Sequence, residues 1–357
     1  MFDFEAALTA LTDVGLTLLV LAIAVVLIEA VLYLVLVRWR KSRMALPFML
    51  LAPGIIAILV LYGYPLLYEF NLSFTKMNIR NFVEPGLLGL TWEGTILEGT
   101  PLAAEEDIFV GLQNYIDVFT MPVLRQTSVY QLFLQTIIWT VVNVFFHVLL
   151  GIGLALLLNR KMRGRTFYRA LLILPWAIPV VASLQIWRTE FNYEFGAVNQ
   201  LLGLIGLGPV PWMSDPFWNF VAMILTNIWL GVPFMMVITL GGLQAISSEY
   251  YEAAEIDGAT ARQSFSKITL PLLRPVLIPA ILLGTFLTFN NINVPFFINA
   301  QQLETSDILV SGVYRAGIQY TRFGFGAAFA FVVFGVLLLF TIWYVRQTKV
   351  LKGAYAS

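Results

Sequence analysis

No cysteine occurs among the 357 residues. Disulfides, thiolate nucleophiles and cysteine metal sites are therefore excluded. His147 is the only histidine, which leaves neither a histidine metal cluster nor a histidine-centred triad enough residues to form. No Gly-Lys-Ser or Gly-Lys-Thr triplet is present, so the chain carries no phosphate loop. If ATP is used, another subunit must bind it. Charged residues are equally scarce, at 12% against 59% hydrophobic, whereas soluble domains carry roughly a quarter charged residues. The composition is that of a multi-spanning, all-α membrane protein.

What is present sets a topology. Seven apolar runs, at about residues 14–37, 46–70, 132–158, 170–186, 217–240, 276–298 and 325–345, each reach or approach the roughly 20 residues needed to cross the bilayer core. The start of the chain is acidic (Asp3, Glu5, Asp13) where a secretory signal would be basic, so the first run is expected to be a retained helix. Net charge is zero, yet fifteen of the 21 basic residues fall in four stretches: Arg38 to Arg43, Arg160 to Arg169, Arg262 to Arg274 and Arg346 to Lys352. By the positive-inside rule these stretches are cytoplasmic. The amino terminus is then outside and the carboxyl terminus inside. The expected organisation is two N-terminal helices (1–70), an acidic extracytoplasmic loop (71–130), a five-helix core (131–346) with a polar loop at 243–274, and a cytoplasmic tail (347–357). Glu29 lies within the first span, where a carboxylate must be neutral, paired or near water, and is expected to face protein.

Three spans carry polar or proline-rich centres. The fourth has Leu174-Pro175-Trp176-Ala177-Ile178-Pro179, whose prolines free backbone carbonyls and predict a kink or break. The fifth has Asn227 and Trp229-Leu230-Gly231-Val232-Pro233-Phe234, another kinked or broken centre; the sixth has Asn290, Asn291 and Asn293. Amides that both give and accept hydrogen bonds, beside aromatic faces and without charges, suit a neutral hydroxyl-rich solute such as a sugar. The same amides would also serve as glue between helices, and the residues alone leave both roles open.

Between the fifth and sixth spans runs EYYEAAEIDGATARQSFSKITLPLLRP, residues 249–275. Glu252 and Glu255 sit in a first turn where carboxylates suit the helix dipole, and Ala253 and Ala254 allow another backbone to approach closely. Gly258 permits a sharp break between two short helices, and Leu270-Pro271 is expected to stop the second. The segment reads as a helix-turn-helix docking knob.

The spacing Glu252-Ala253-Ala254, three residues, Gly258, nine residues, Ile268, Leu270, Pro271 resembles the coupling loop of the membrane subunits of binding-protein-dependent ABC importers. From about Gly111 onward the chain is similar to the larger membrane subunit of the maltose importer family. Tyr168 to Pro175, Thr226 to Gly231, Lys267 to Leu273 and Phe289-Asn290-Asn291 carry this likeness, and Gly111-Leu112 with Asn114-Tyr115 matches a short element common before such cores. The resemblance implies a type I importer permease fold and a sugar site at the bilayer middle, formed by Trp176, Gly231, Phe234, Asn290 and Asn291. Trp176 and Phe234 stand where the maltose permease has tyrosines, and Val180, Leu287 and Thr288 also depart from its pattern. It implies as partners a second permease subunit, two ATP-binding subunits that hold ATP and magnesium, an extracytoplasmic sugar-binding protein and membrane lipid, with no nucleic acid. No cofactor and no catalytic or metal site is expected in this chain. The other readings are an importer of another solute such as glycerol phosphate, a membrane-embedded glycosyltransferase, and an ATPase-independent channel or sensor.

Overall fold

The computed structural model describes residues 4–41, 45–78, 109–160, 162–303 and 306–348. Most of the acidic segment of the 71–130 loop and the tail beyond 348 lie outside these residues. The chain divides into two compact units, Met1–Asn114 and Tyr115–Ser357.

In the first unit, α1 (Phe4–Leu32) runs on through a wide π turn, Tyr33–Trp39. It packs on α2 (Ala45–Ile58), which passes through a second π turn, Leu59–Gly63, into α3 (Tyr64–Leu72). Glu29 is half-buried with Oε1 shielded from solvent. Beyond α3, an antiparallel bridge joins Thr75 to Phe109. Asn114 clamps it, its Nδ2 donating to Ser73 O (2.9 Å) and Thr75 O (2.7 Å). This gives the Asn114-Tyr115 element a physical role, because one side-chain amide satisfies two carbonyls that the chain reversal would leave unpaired.

The second unit holds the core. After α4 (Gln113–Thr120), α5 (Val129–Asn159) begins at Ser128, whose Oγ accepts from Gln131 N. It packs along α9 (Pro216–Gln244), started by Asp215, whose side chain accepts from Trp218 N, and by Pro216 in the first turn, a position where the missing N–H costs nothing. Between them lie α6 (Arg165–Ala177), α7 (Val180–Glu190) and α8 (Ala197–Leu204). The fourth span is a bent pair: α6 and α7 meet at 95°, because Ile178 is extended and Pro179 cannot continue the ladder. With this pair counted as one, the described residues contain seven candidate spans. The fifth span is not broken. α9 runs through Pro233 as one 29-residue helix; the proline removes the intrahelical donor of Trp229 O without ending the helix.

The loop at 243–274 also differs from expectation in one respect. Pro271 does not end a helix. After α10 (Glu249–Ile256) and α11 (Ala261–Ser264), a π turn at Phe265–Thr269 feeds directly into α12 (Leu270–Phe289). The wide turn shifts backbone donors off their usual partners before the proline, so the missing N–H of Pro271 falls where a new helix begins. The sixth span does break, after Phe289, and resumes as α13 (Asn293–Ile298). Between the sixth and seventh spans, α14 (Leu309–Tyr314) and a π turn, Arg315–Gln319, precede α15 (Phe323–Thr348).

Three apolar clusters hold this unit. One joins the start of α5 to α14 and α15 around Leu132 and Phe329; a second gathers Trp139, Phe191, Trp212 and Ile298; a third lies at the far end around Leu158, Leu243 and Leu273.

Candidate functional site

The five residues assigned to a solute site come together, although they belong to spans up to 115 positions apart. A cavity of about 920 Å³ is lined by the α6–α7 bend (Pro175 to Val180), Leu230, Phe286, Leu287 and the amides Asn290, Asn291 and Asn293. A smaller one of about 160 Å³ shares Trp176, Leu230, Leu287 and Asn291 with it and adds His147, Asn227, Gly231, Phe234, Gly284 and Thr288. Trp176 and Phe234 form the aromatic wall, their ring centroids 6.0 Å apart and tilted by 39°. No charged side chain lines either cavity.

Long-range hydrogen bonds place these groups. Trp176 Nε1 donates to Leu230 O at 3.2 Å, which ties the α6–α7 bend to α9. His147 Nε2 lies 2.9 Å from Asn227 O, and Trp139 Nε1 donates to Thr288 O at 2.9 Å near the end of α12. Thus α5 supplies two ring donors, eight residues or about 12 Å apart along the helix, that secure the centres of both neighbouring spans. Gly231 is needed at its position because His147 fills the space that a Cβ there would occupy.

The three amides of the sixth span separate into different roles. Asn291 is half-buried and bonded at both ends: Nδ2 donates to Asn227 Oδ1 (2.8 Å), while Oδ1 accepts from Asn293 N (3.1 Å) and Val294 N (3.4 Å), capping α13. It joins helices and lines the cavity at once. Asn290 and Asn293 are exposed to the cavity; Asn290 Nδ2 donates to Phe286 O (3.2 Å), leaving its oxygen directed elsewhere. Asn227, noted in the sequence but not assigned to the site, is 3% exposed and its Nδ2 has no protein partner. The signal that would have found it is its spacing, one helical turn before Gly231 on the same face.

The predicted coupling residues lie on a protruding knob. Glu252, Ala253 and Gly258 are exposed, and Ala254, Ile268, Leu270 and Pro271 are half-buried. Gly258 has φ +75° and open space around it; its backbone conformation, not crowding, demands glycine. Gly258 N donates to Glu255 O and Ala259 N to Ala254 O, a Schellman closure of α10. Thr260 and Gln263 then form a capping box on α11. Tyr251 Oη meets Thr269 Oγ1 at 3.0 Å and fastens α10 to the π turn. Ile256, at the tip, is 86% exposed.

Comparison with known proteins decides the family. Residues 147–351 match the family described as binding-protein-dependent transport system inner membrane component. The chain belongs to it. It is similar to the galactooligosaccharides transport system permease protein of Bacillus subtilis (31% identity over 86% of this chain and 71% of that protein). It is also similar to the trehalose/maltose transport system permease protein of Thermococcus litoralis (35% identity over 68% and 80%). Among solved structures, a bacterial ABC transporter involved in import of the acidic polysaccharide alginate superposes with a TM-score of 0.69 at 21% identity, covering 86% of this chain and 96% of that one. The fold is therefore that of an ABC importer permease, and the chain is an inner-membrane transport subunit.

Proposed function

We propose that this permease carries a neutral oligosaccharide of the maltose, maltodextrin or trehalose type across the cytoplasmic membrane. The observation that carries the reading is the composition of the paired cavities: amides and aromatic rings with no charged side chain. Such a surface pairs hydroxyls with Asn290, Asn293 and the unpaired Nδ2 of Asn227, and offers Trp176 and Phe234 to the apolar face of a sugar ring. Relatives named for trehalose/maltose and for galactooligosaccharides support a saccharide. An anionic solute such as glycerol phosphate would leave its charge unpaired here, at a cost that buried charges rarely bear.

The mechanism is alternating access. A soluble binding protein delivers sugar on the extracytoplasmic side, where the amino terminus lies. Two ATPase subunits, which bind ATP and magnesium, close on the cytoplasmic side. The knob of Glu252, Ala253, Ala254 and Gly258 seats in a cleft of one of them, and the continuous helix from α11 through Ile268, Leu270 and Pro271 into α12 carries that closure to the cavity as a rigid lever. A second permease subunit completes the pathway. This chain performs no chemistry of its own.

The test is ATPase activity of the whole complex in lipid, with its binding protein, against maltose, maltotriose, trehalose, a galactooligosaccharide and glycerol phosphate. Stimulation by a neutral sugar, weakened by Asn290→Ala, is expected. Stimulation by the phosphate ester alone overturns the neutral-sugar reading.

A further inference from the structure

On the other side of the 290–293 turn lies another cavity, of about 360 Å³, that the site above does not use. Its lining includes Ile292, Phe296, Asn299, Gln302, Arg315 and Gln319. The turn is a shared partition: Asn290, Asn291 and Asn293 line the first cavity, whereas Ile292 lines this one.

The wall is built on a buried ion pair. Arg315 Nε donates to Asp307 Oδ1 at 3.0 Å and lies 2.9 Å from Oδ2, with the two side chains 7% and 0% exposed. Arg315 Nη2 reaches Asn299 O at 3.3 Å, and Ser311 Oγ and Asn299 Nδ2 also donate to Asp307 Oδ1. Asp307 does not itself line the cavity; it sits behind Arg315, the one charged residue of the lining, and its carboxylate offsets the guanidinium.

Phe296, Gln302 and Gln319 of the lining are exposed. Gln302 has φ +56°, a conformation that residues with a Cβ seldom adopt and that tends to mark sites of function. Arg315 and Gln319 bracket the π turn, a feature also frequent at functional sites. Phe296, 46% exposed, stands edge-on to Tyr314 at 5.5 Å and offers a ring face. A purely structural network would not require two exposed glutamines and an aromatic face around an open space.

The geometry points to a second sugar subsite, on the far side of the amide turn, that holds a further ring of a neutral oligosaccharide whose first ring lies against Asn290. This rests on the neutral-sugar reading above. Gln302 and Gln319 hydrogen-bond the hydroxyls, and Phe296 stacks on the ring.

The absence of native cysteine gives a direct test. In the whole complex in lipid nanodiscs, Gln319→Cys and, separately, Asn293→Cys are modified with a soluble maleimide, with and without maltotriose, trehalose or a galactosyl trisaccharide. The sugar that protects Asn293→Cys is expected to slow modification of Gln319→Cys as well. In the same complex Gln319→Leu, an exposed position, should lower transport of a trisaccharide about fivefold, the worth of one net hydrogen bond, and leave the disaccharide nearly unchanged. Protection of Asn293→Cys alone overturns the subsite and leaves the first cavity as the site. Protection at neither position overturns both readings. Protection of Gln319→Cys by the binding protein without sugar, not increased by sugar, shows a protein segment in the cavity and overturns the subsite. So does sugar protection combined with an unchanged trisaccharide-to-disaccharide ratio in Gln319→Leu, which shows closure without contact.

Discussion

The imidazole of His147 occupies the space in which a side chain on Gly231 would have to lie. The same ring is held by Asn227 O, 2.9 Å from Nε2, so it cannot swing aside without breaking a buried hydrogen bond. Gly231→Ala is therefore expected to overpack this contact at a cost of about 1–3 kcal/mol. Sugar-stimulated ATPase should fall sharply. The double variant Gly231→Ala with His147→Ala should recover part of the stability lost, read as the thermal midpoint of the purified complex; no recovery would place the defect outside this contact.

Gly258 makes the opposite kind of demand. With φ +75° and nothing within 4 Å of an added Cβ, Gly258→Val is penalised by its backbone alone, by about 1–2 kcal/mol or more for a β-branched residue. The expected outcome is weaker co-purification of the ATPase subunits and loss of uptake, while the two permease subunits still associate. Full uptake in this variant would remove the knob from the coupling route.

Asn290 and Asn291 should separate under substitution. Asn291→Ala removes a cap on α13 and leaves Asn227 Oδ1 without its donor, a buried loss of about 1–3 kcal/mol, so assembly and thermal stability should both decline. Asn290→Ala, at an exposed position, should leave assembly intact and lower sugar-stimulated ATPase about fivefold, the equivalent of one hydrogen bond. Equal effects on stability would make both amides glue.

The Asp307–Arg315 pair should impose a pH dependence. Burial pushes the Asp307 carboxyl up to about 6, against the opposing pull of Arg315 and of its hydrogen bonds from Ser311, Arg315 and Asn299. A raised carboxyl binds its proton more tightly folded than unfolded. Its contribution to stability is thus full below the ordinary carboxylate range, and it is lost as pH rises through about 6. The thermal midpoint of the complex should fall over this window, and the Asp307→Asn variant should show a flatter profile. Arg315→Met, which strands a buried carboxylate, should cost about 3–5 kcal/mol near neutral pH.

Much of this protein could be read from the chain alone. Long apolar runs and clustered basic residues gave the number of spans, because bilayer thickness and charge placement act locally along the sequence. The knob was legible because its glycine and alanines act within a few residues of one another. The bend at Ile178-Pro179 was legible for the same reason. What local pattern could not decide was which carbonyls find donors from other spans: Trp176 to Leu230, His147 to Asn227, Trp139 to Thr288. Those bonds require packing across 54 to 149 residues.

The sequence by itself determined the class of the protein, its spans and the two short helices around Gly258, since each rests on composition or short-range spacing. Only the tertiary structure decided that Asn291 binds Asn227, that Asp307 meets Arg315, and that Pro271 opens α12 after a π turn instead of ending a helix. Each of these depends on a partner's position in space, or on a π turn that relocates a backbone donor, and neither leaves a period in the sequence.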